Sequence, residues 1–118
     1  MWHRRKVQHG DKLGQKLGFP TLNFRPGHFT DEYAPGVYAA KVRIAGKSYA
    51  GALYLGPKFS QKGNVLELFV LSFSDTIYGH YVSFEVGKRV REPMKFDSVG
   101  TLQKQIEKDI EAILRVQA

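Results

Sequence analysis

The chain has 118 residues, the size of one ordinary domain, and a hydrophobic content of 42% that suffices for a single core. It has no cysteine, which excludes disulfides, thiolate metal sites and cysteine nucleophiles. No apolar run approaches the roughly 20 residues of a membrane-spanning helix, and the basic N-terminus lacks the apolar segment of a secretory signal. The net charge of +7 favours an anionic partner. These properties predict a cytoplasmic protein with no membrane partner.

Alternation of apolar and polar residues predicts β-structure over most of the chain. Residues 37–44 have one apolar face, a glycine-lysine turn follows, and a second apolar run over 48–55 completes a hairpin signal. Short strands separated by glycine- and proline-bearing turns indicate an antiparallel barrel or sandwich. No linker or repeat interrupts the pattern, so one domain over residues 1–118 is expected. The other predicted strands lie at residues 2–8, 21–24, 65–71 and 81–90.

The C-terminal part is predicted to be an amphipathic helix. Ser98 can cap its N-terminus, and apolar residues then recur at spacings of three and four. The polar face carries both signs of charge, which disfavours a membrane-surface helix and favours packing against the barrel. The apolar stripe comprises Val99, Leu102, Ile106, Ile110 and Ile113.

A glycine-rich segment joins the first two predicted strands. Glycine lets the backbone approach a ligand closely, and Pro20 makes the following turn rigid. Thr21 and Asn23 then offer neutral oxygens of the kind that Mg²⁺ shares with substrate phosphates. The segment is typical of a phosphate-and-metal loop, but a plain connection between two strands explains the spacing equally well. The glycines concerned are Gly10, Gly14 and Gly18.

Glu67 is a carboxylate within an otherwise apolar run, residues 65–71. Such a carboxylate lies either on a solvated face, which is the commoner case, or in a functional pocket, where it could act as a general base. Arg91 and Lys95 lie in a turn-rich segment of the kind that often holds ligand contacts, although an ordinary polar connection explains them too. The histidines show no metal-ligand spacing.

Several motifs, in chain order, resemble those of the riboflavin kinase family. Residues 10–23, GDKLGQKLGFPTLN, look like the family signature GxxxGxxxGFPTxN. The likeness extends over nearly the whole chain and is highly specific in combination. The remaining matches are PGVY at 35–38, LEL at 66–68, DTIYG at 75–79 and a closing pattern from Arg91 to Asp109.

This resemblance implies a six-stranded antiparallel Greek-key barrel with a C-terminal helix packed on it. It also implies transfer of the γ-phosphate of ATP to the terminal ribityl hydroxyl of riboflavin, giving FMN and ADP, with Mg²⁺ as cofactor. Glu67 would be the general base, and Thr21 and Asn23 would hold Mg²⁺. The implied nucleotide or phosphate contacts are Gly10, Lys12, Gly14, Gly18, Phe19, Pro20, Thr21 and Asn23. The implied flavin contacts are Arg91, Lys95, Phe96 and Ser98.

The chain departs from the family pattern after the strand at residues 48–55. Where the family reads like VANIGxxPTF, this chain has ALYLGPKF over 52–59, with Tyr54 in place of Asn. That region borders the nucleotide in the family, so the preference for ATP over a nucleotide such as CTP is left open.

Two other functions are left open by the residues. One is a non-catalytic regulator that binds flavin or nucleotide on the same fold. The other, ranked lower, is a basic barrel that binds single-stranded nucleic acid by stacking and charge. The expected partners are the small-molecule substrates alone, bound by a monomer. No HxGH-type nucleotidyltransferase element is present, so a standalone kinase and a part of a larger bifunctional enzyme are both compatible with the sequence.

Overall fold

The structure is a computed structural model that describes residues 1–10, 18–58 and 63–117. The strands are β1 (Trp2–Lys6), β2 (Leu22–Phe24), β3 (Gly36–Ile44), β4 (Lys47–Pro57), β5 (Asn64–Val70) and β6 (Tyr81–Arg91). The helices are α1 (Phe29–Glu32) and α2 (Val99–Gln117). All six strands form one sheet in the order β1-β6-β3-β4-β5-β2, and every pairing is antiparallel.

The sheet curls until its two edge strands approach each other. An isolated antiparallel bridge joins Gln8, just after β1, to Asn23 in β2. There the Gln8 amide donates to the Asn23 carbonyl oxygen at 2.7 Å. We call this contact the seam. Because the sheet curls into a barrel and α2 packs on it, the predicted Greek-key barrel with a C-terminal helix is confirmed.

The two faces of the sheet pack differently. The inner face forms the main core, to which β3 contributes Tyr38 and Val42. On the outer face of the same strand, Val37 and Ala39 pack against Ile113 of α2. The first part of β3, residues 36–40, is therefore buried on both faces, because the helix covers the side that simple alternation would leave to solvent.

Helix α2 begins as the sequence predicts. The Thr101 amide donates to Ser98 Oγ at 3.2 Å, which satisfies one of the first amides of the helix. Within the predicted stripe, Ile113 is fully buried, whereas Val99 is 54% exposed. Leu102, a turn later, is the first residue of the stripe that is partly buried. Among the described residues, no helix is long and apolar enough to cross a membrane.

Candidate functional site

The polar residues of the candidate site lie in one transverse row of the sheet. Strand register places Asn23 opposite Glu67 and Glu67 opposite Tyr54. It then places Tyr54 opposite Val37 and Val37 opposite Arg91. Directly opposed residues of neighbouring strands share a face of the sheet. These residues, which we call the site row, therefore lie on the outer face, the face on which α2 packs.

A cavity of about 220 Å³ lies over the part of the site row that comprises Glu67, Tyr54, Val37 and Arg91. Sheet residues that include Glu67, Tyr54 and Arg91 line it on one side, and the segment after β6 together with α2 lines it on the other. Most of the lining is apolar and a few polar groups converge on it, an arrangement typical of sites for flat organic ligands. The covering side chains are Met94, Phe96, Leu102, Ile106 and Ile110.

Glu67 is paired with Lys58, the residue that directly follows β4. The Lys58 Nζ atom lies 2.5 Å from Glu67 Oε1, and the two side chains are 17% and 12% exposed. Glu67 therefore lines a pocket rather than a solvated face, which resolves one question that the sequence left open. Sequence reasoning gave Lys58 no role, because the pairing depends on the register of β4 against β5.

A second ion pair, between Arg91 and Asp109, joins β6 to α2. Arg91 Nε lies 2.8 Å from Asp109 Oδ1, and Arg91 Nη2 lies 2.8 Å from Oδ2. The Gln105 side-chain amide also donates to Oδ1 at 3.0 Å, and Asp109 is 5% exposed. This closed arrangement holds the helix over the cavity. The sequence contained a signal for this ion pair. Asp109 lies between Ile106 and Ile113 on the apolar stripe, where a carboxylate needs a cationic partner.

Tyr54 lies on the cavity floor between the two ion pairs. Its hydroxyl donates to the Pro57 carbonyl oxygen at 2.5 Å. Burial raises the pKa of Tyr54, and nearby Arg91 opposes that shift. The phenol is thus protonated and able to donate at neutral pH. The segment in which the chain departs from the family pattern places Tyr54 and Lys58 in the same cavity as Arg91 and Phe96, which the resemblance assigned to the flavin.

A second cavity, of about 230 Å³, lies on the other side of Thr21. Its lining is more polar and includes Asp75 and Tyr78 from the DTIYG turn. The Tyr78 ring stacks on His9 with the ring centroids 3.8 Å apart. Thr21 lines both cavities, so ligands in the two would meet beside this residue.

The glycine-rich segment is described only at its two ends. A Cβ added to Gly10 would lie 2.3 to 2.5 Å from side-chain atoms of Asn23, so only glycine allows this approach. Gly18 is exposed, with a φ of 86° that favours glycine. Phe19 lines the first cavity and Pro20 the second. The remaining predicted contacts, Lys12 and Gly14, lie outside the described residues.

The predicted flavin contacts separate into two groups. Arg91 and Phe96 line the first cavity, with the Arg91 guanidinium carbon 5.9 Å from the centre of the Phe96 ring. Lys95 and Ser98 are exposed and do not line it. Ser98 uses its hydroxyl to cap α2 instead.

The predicted Mg²⁺ ligands have suitable chemistry. Thr21 and Asn23 are two residues apart in extended chain and thus share a face, and Glu67 lies opposite Asn23. Hydroxyl, amide and carboxylate oxygens are the donors that Mg²⁺ accepts, usually together with waters and phosphates. Among the described residues, no group of three or more His, Asp or Glu could hold a metal alone. Any Mg²⁺ here would complete its coordination with waters and phosphate oxygens.

The chain forms a small antiparallel barrel with an apolar cavity under its C-terminal helix. These two features place it in the class of ligand-binding β-barrels. The chain matches the model of the Flavokinase family, described as riboflavin kinase, over residues 2–117. The chain therefore belongs to the riboflavin kinase family.

Individual relatives agree with this assignment. The chain is 40% identical over 109 residues to a bifunctional riboflavin kinase/FMN adenylyltransferase of Haemophilus influenzae, covering 90% of this chain and 35% of that protein. It is 33% identical over 112 residues to the RNA-binding riboflavin kinase RibR of Bacillus subtilis, covering 92% and 48%. A crystal structure of riboflavin kinase from Trypanosoma brucei superposes with a TM-score of 0.71 at 26% identity, covering 98% and 78%. The chain spans about a third of the length of the bifunctional relative.

Proposed function

We propose that this chain is an ATP-dependent riboflavin kinase that forms FMN and ADP. The observation that carries the proposal is the position of Thr21, which lines both cavities. The apolar cavity over the site row suits the flavin ring, and the more polar cavity suits the nucleotide. Two substrates bound in this way would bring the ribityl hydroxyl and the γ-phosphate together beside Glu67. The proposal includes a single monomeric domain in the cytoplasm.

In this proposal, Glu67 orients the ribityl hydroxyl and accepts its proton as the oxygen attacks the γ-phosphorus atom. The bond between the γ-phosphorus and the bridging oxygen breaks, and its electrons leave with ADP. Phosphoryl transfer is mainly positioning and charge stabilisation, so the chain needs no covalent intermediate. Arg91 and Phe96 would border the flavin, and the chain around Gly10 and Pro20 would border the phosphates.

Thr21 and Asn23 would hold Mg²⁺ through side-chain oxygens, and the bound ion would supply positive charge to the nucleotide phosphates. The contact between Gly10 and the Asn23 side chain supports this role, because it limits where the amide can point. The Asn23 Nδ2 atom also lies 3.4 Å from the Thr21 carbonyl oxygen, within weak hydrogen-bond reach.

The test is to incubate the protein with riboflavin, Mg²⁺ and either ATP or CTP, and to follow FMN by chromatography. Glu67→Gln should lower turnover by roughly 10²-fold or more. Riboflavin fluorescence should fall on binding to this variant as much as on binding to the wild type. Glu107→Gln, an exposed acid of α2, is the matched control and should not change the rate. Folded protein that binds riboflavin but forms no FMN with either nucleotide would support the non-catalytic regulator instead.

A second candidate function is binding of single-stranded nucleic acid. The relative RibR is described as RNA-binding, and this chain stacks basic side chains on exposed rings at the outer face of β1, β6 and β3. The guanidinium carbon of Arg4 lies 4.1 Å from the Tyr81 ring centre, and that of Arg43 lies 4.4 Å from the Trp2 ring centre. A binding titration at several salt concentrations tests it, since backbone-dominated binding weakens steeply with salt.

A further inference from the structure

The inference concerns Tyr54 and rests on the proposed kinase function. Strand register places Tyr54 between Glu67 of β5 and Val37 of β3, on the outer face of the sheet. The ring is partly buried, where it packs against the cluster of Val37, Ala39 and Ile113, and it also lines the first cavity. The barrel and the helix thus hold this ring in place as part of the cavity floor.

The hydroxyl of Tyr54 is already engaged. It donates its single proton to the Pro57 carbonyl oxygen at 2.5 Å. A Cβ on Gly56 would lie 2.9 Å from the same hydroxyl oxygen and 3.3 Å from Pro93 Cγ. The chain at Gly56 therefore passes closely between Tyr54 and the segment after β6. A ligand in the cavity meets the aromatic ring of Tyr54 rather than its proton.

The spacing of the strands indicates where a flavin ring would lie. Neighbouring strands are about 4.8 Å apart, so Tyr54 is one strand away from Glu67 and Arg91 is three strands away. In the proposed reaction the terminal ribityl hydroxyl lies at Glu67, and an extended ribityl chain spans roughly one to two such spacings. A ribityl chain that runs from Glu67 toward Arg91 therefore brings the flavin ring over Tyr54 and Val37.

Tyr54 differs chemically from the other aromatic residues that line this cavity, which are Phe19, Phe69 and Phe96. Among the lining residues in the described part of the chain, Tyr54 is the only tyrosine and none is tryptophan. A phenol ring is richer in electrons than a phenyl ring, whereas an oxidised flavin ring is poor in electrons. Aromatic pairs contribute to binding beyond the area that they bury, and this electronic difference favours a contact between the two rings.

We infer that the flavin ring stacks on the Tyr54 ring, and that Tyr54 contributes to selection of the flavin rather than of the nucleotide. The contact between its hydroxyl and Pro57 fixes the ring, so little ordering is needed when the flavin binds. The segment that departs from the family pattern then belongs to the flavin site. A stacked phenol also gives a specific signal. It passes an electron to the light-excited flavin and recovers it without any bond being made or broken, so the flavin emits less light.

The test uses Tyr54→Phe, Tyr54→Leu and the control Tyr49→Phe, at a tyrosine of the same strand that packs against the inner core. Isothermal titration calorimetry measures the Kd of riboflavin without relying on fluorescence. Tyr54→Phe keeps a stacking ring, so its Kd should stay within about threefold of the wild type. Tyr54→Leu removes the ring and should raise the Kd by about tenfold. Tyr49→Phe should bind riboflavin as the wild type does.

The fluorescence lifetime of bound flavin separates contact with the flavin from support of the fold. Flavin bound to Tyr54→Phe should have a lifetime several-fold longer than flavin bound to the wild type, because phenylalanine does not donate the electron. A role limited to holding the backbone through Pro57 predicts no such change. This measurement also covers the case in which Tyr54→Leu does not fold. An unchanged lifetime in Tyr54→Phe would overturn the inference.

Steady-state kinetics separates the flavin site from the nucleotide site. In Tyr54→Leu the KM for riboflavin should rise by about tenfold, while the KM for ATP and the ratio of the rates with ATP and CTP should stay within about threefold of the wild type. A change confined to the nucleotide would place Tyr54 in the nucleotide site and overturn the inference.

The outcomes distinguish this inference from the proposed function. If the wild type does not bind riboflavin, both fall. If it binds riboflavin but forms no FMN with either nucleotide, the kinase function falls, and the calorimetric and lifetime results still decide the role of Tyr54. If the wild type forms FMN and folded Tyr54→Leu binds riboflavin within about threefold of it, the kinase function stands and the inference is overturned.

Discussion

Two buried ion pairs line the same cavity, and they are built differently. The Arg91–Asp109 pair has two parallel contacts and a further donor from Gln105. In the Lys58–Glu67 pair, Lys58 Nζ lies 2.5 Å from Glu67 Oε1. The first ties α2 to β6, and the second joins neighbouring strands that already hold each other through backbone hydrogen bonds. The first pair therefore holds the cover of the cavity in place, whereas the second contains Glu67, the proposed base. Their difference separates the support of the site from its proposed chemistry.

The largest expected effect is on stability, at the Arg91–Asp109 pair. Asp109→Ala leaves the Arg91 guanidinium, whose side chain is 16% exposed, without its partner. Breaking a buried pair in this way costs about 3–5 kcal/mol, measured as a fall in the free energy of unfolding in urea. Glu111→Ala removes an exposed acid of the same helix and should cost much less. If Asp109→Ala lowered the free energy of unfolding by less than about 1 kcal/mol, the Arg91–Asp109 pair would not be the main support of the site.

The Lys58–Glu67 pair should show the opposite balance. Replacing both partners, in Lys58→Met with Glu67→Gln, removes the proposed base together with both charges of this pair. The unfolding free energy should therefore stay within about 1 kcal/mol of the wild type, while FMN formation falls by roughly 10²-fold or more. An unfolding loss as large as that expected for Asp109→Ala would show that this pair, too, is a structural support.

A substitution at Gly10 tests the role of Asn23, which lies at the β2 end of the site row. Gly10→Ala would place a Cβ within 2.5 Å of the Asn23 side chain and displace it. A displacement of about 1 Å at a positioning residue lowers the rate by about 10²-fold, which steady-state kinetics with varied ATP would measure. Gly100→Ala makes the same chemical change where the added Cβ meets only Ser98 Oγ, at 3.8 Å. That control should keep its activity, and equal losses in both variants would contradict the role of Asn23.

The smallest expected effect lies on the inner face of the barrel, remote from both pairs. Burial, and then the charge of Arg5, lower the pKa of His3 below its usual 6.5. The unfolded chain then binds the proton more readily, so His3 contributes stability that is complete above about pH 6.5 and declines as the pH falls below it. Urea unfolding at pH 7.5 and pH 5.5 should show this decline.

His3→Phe keeps the ring that packs against Phe29 and should flatten this dependence on pH. The control His80→Gln, at an exposed position, should retain the slope of the wild type. Loss of FMN formation with His3→Phe would mean that the inner face and the site row are not independent.

The sequence predicted those features that depend on local pattern. Alternation located the strands, and a serine followed by apolar residues three and four apart located α2. Motif order singled out Glu67 and Arg91, which both line the first cavity. Helix α1 was not predicted, because it is four residues long and buries only Phe29. The burial of Val37 and Ala39 was also missed, since alternation cannot tell which part of a sheet a distant helix will cover.

The ion pairs lay beyond sequence reasoning because they join separate elements. Lys58 and Glu67 meet only when β4 and β5 pair in one register, in which Tyr54 faces Glu67. A register shifted by one residue would place these side chains on opposite faces. Asp109 could have been found, since a carboxylate on an apolar stripe demands a partner, but its identity as Arg91 depends on how α2 lies on the barrel.

The seam between Gln8 and Asn23 has a consequence for how the molecule opens. A sheet that is closed by an isolated bridge is expected to unzip there first, and amides at such a point exchange with solvent through local opening. Asn23 is at once a partner in that bridge and a proposed ligand of the metal-bound nucleotide. Nucleotide that binds only the closed form would slow exchange at the Gln8 amide by a factor of one plus the ratio of the free nucleotide concentration to its Kd. Bound nucleotide would then keep the barrel closed at the seam.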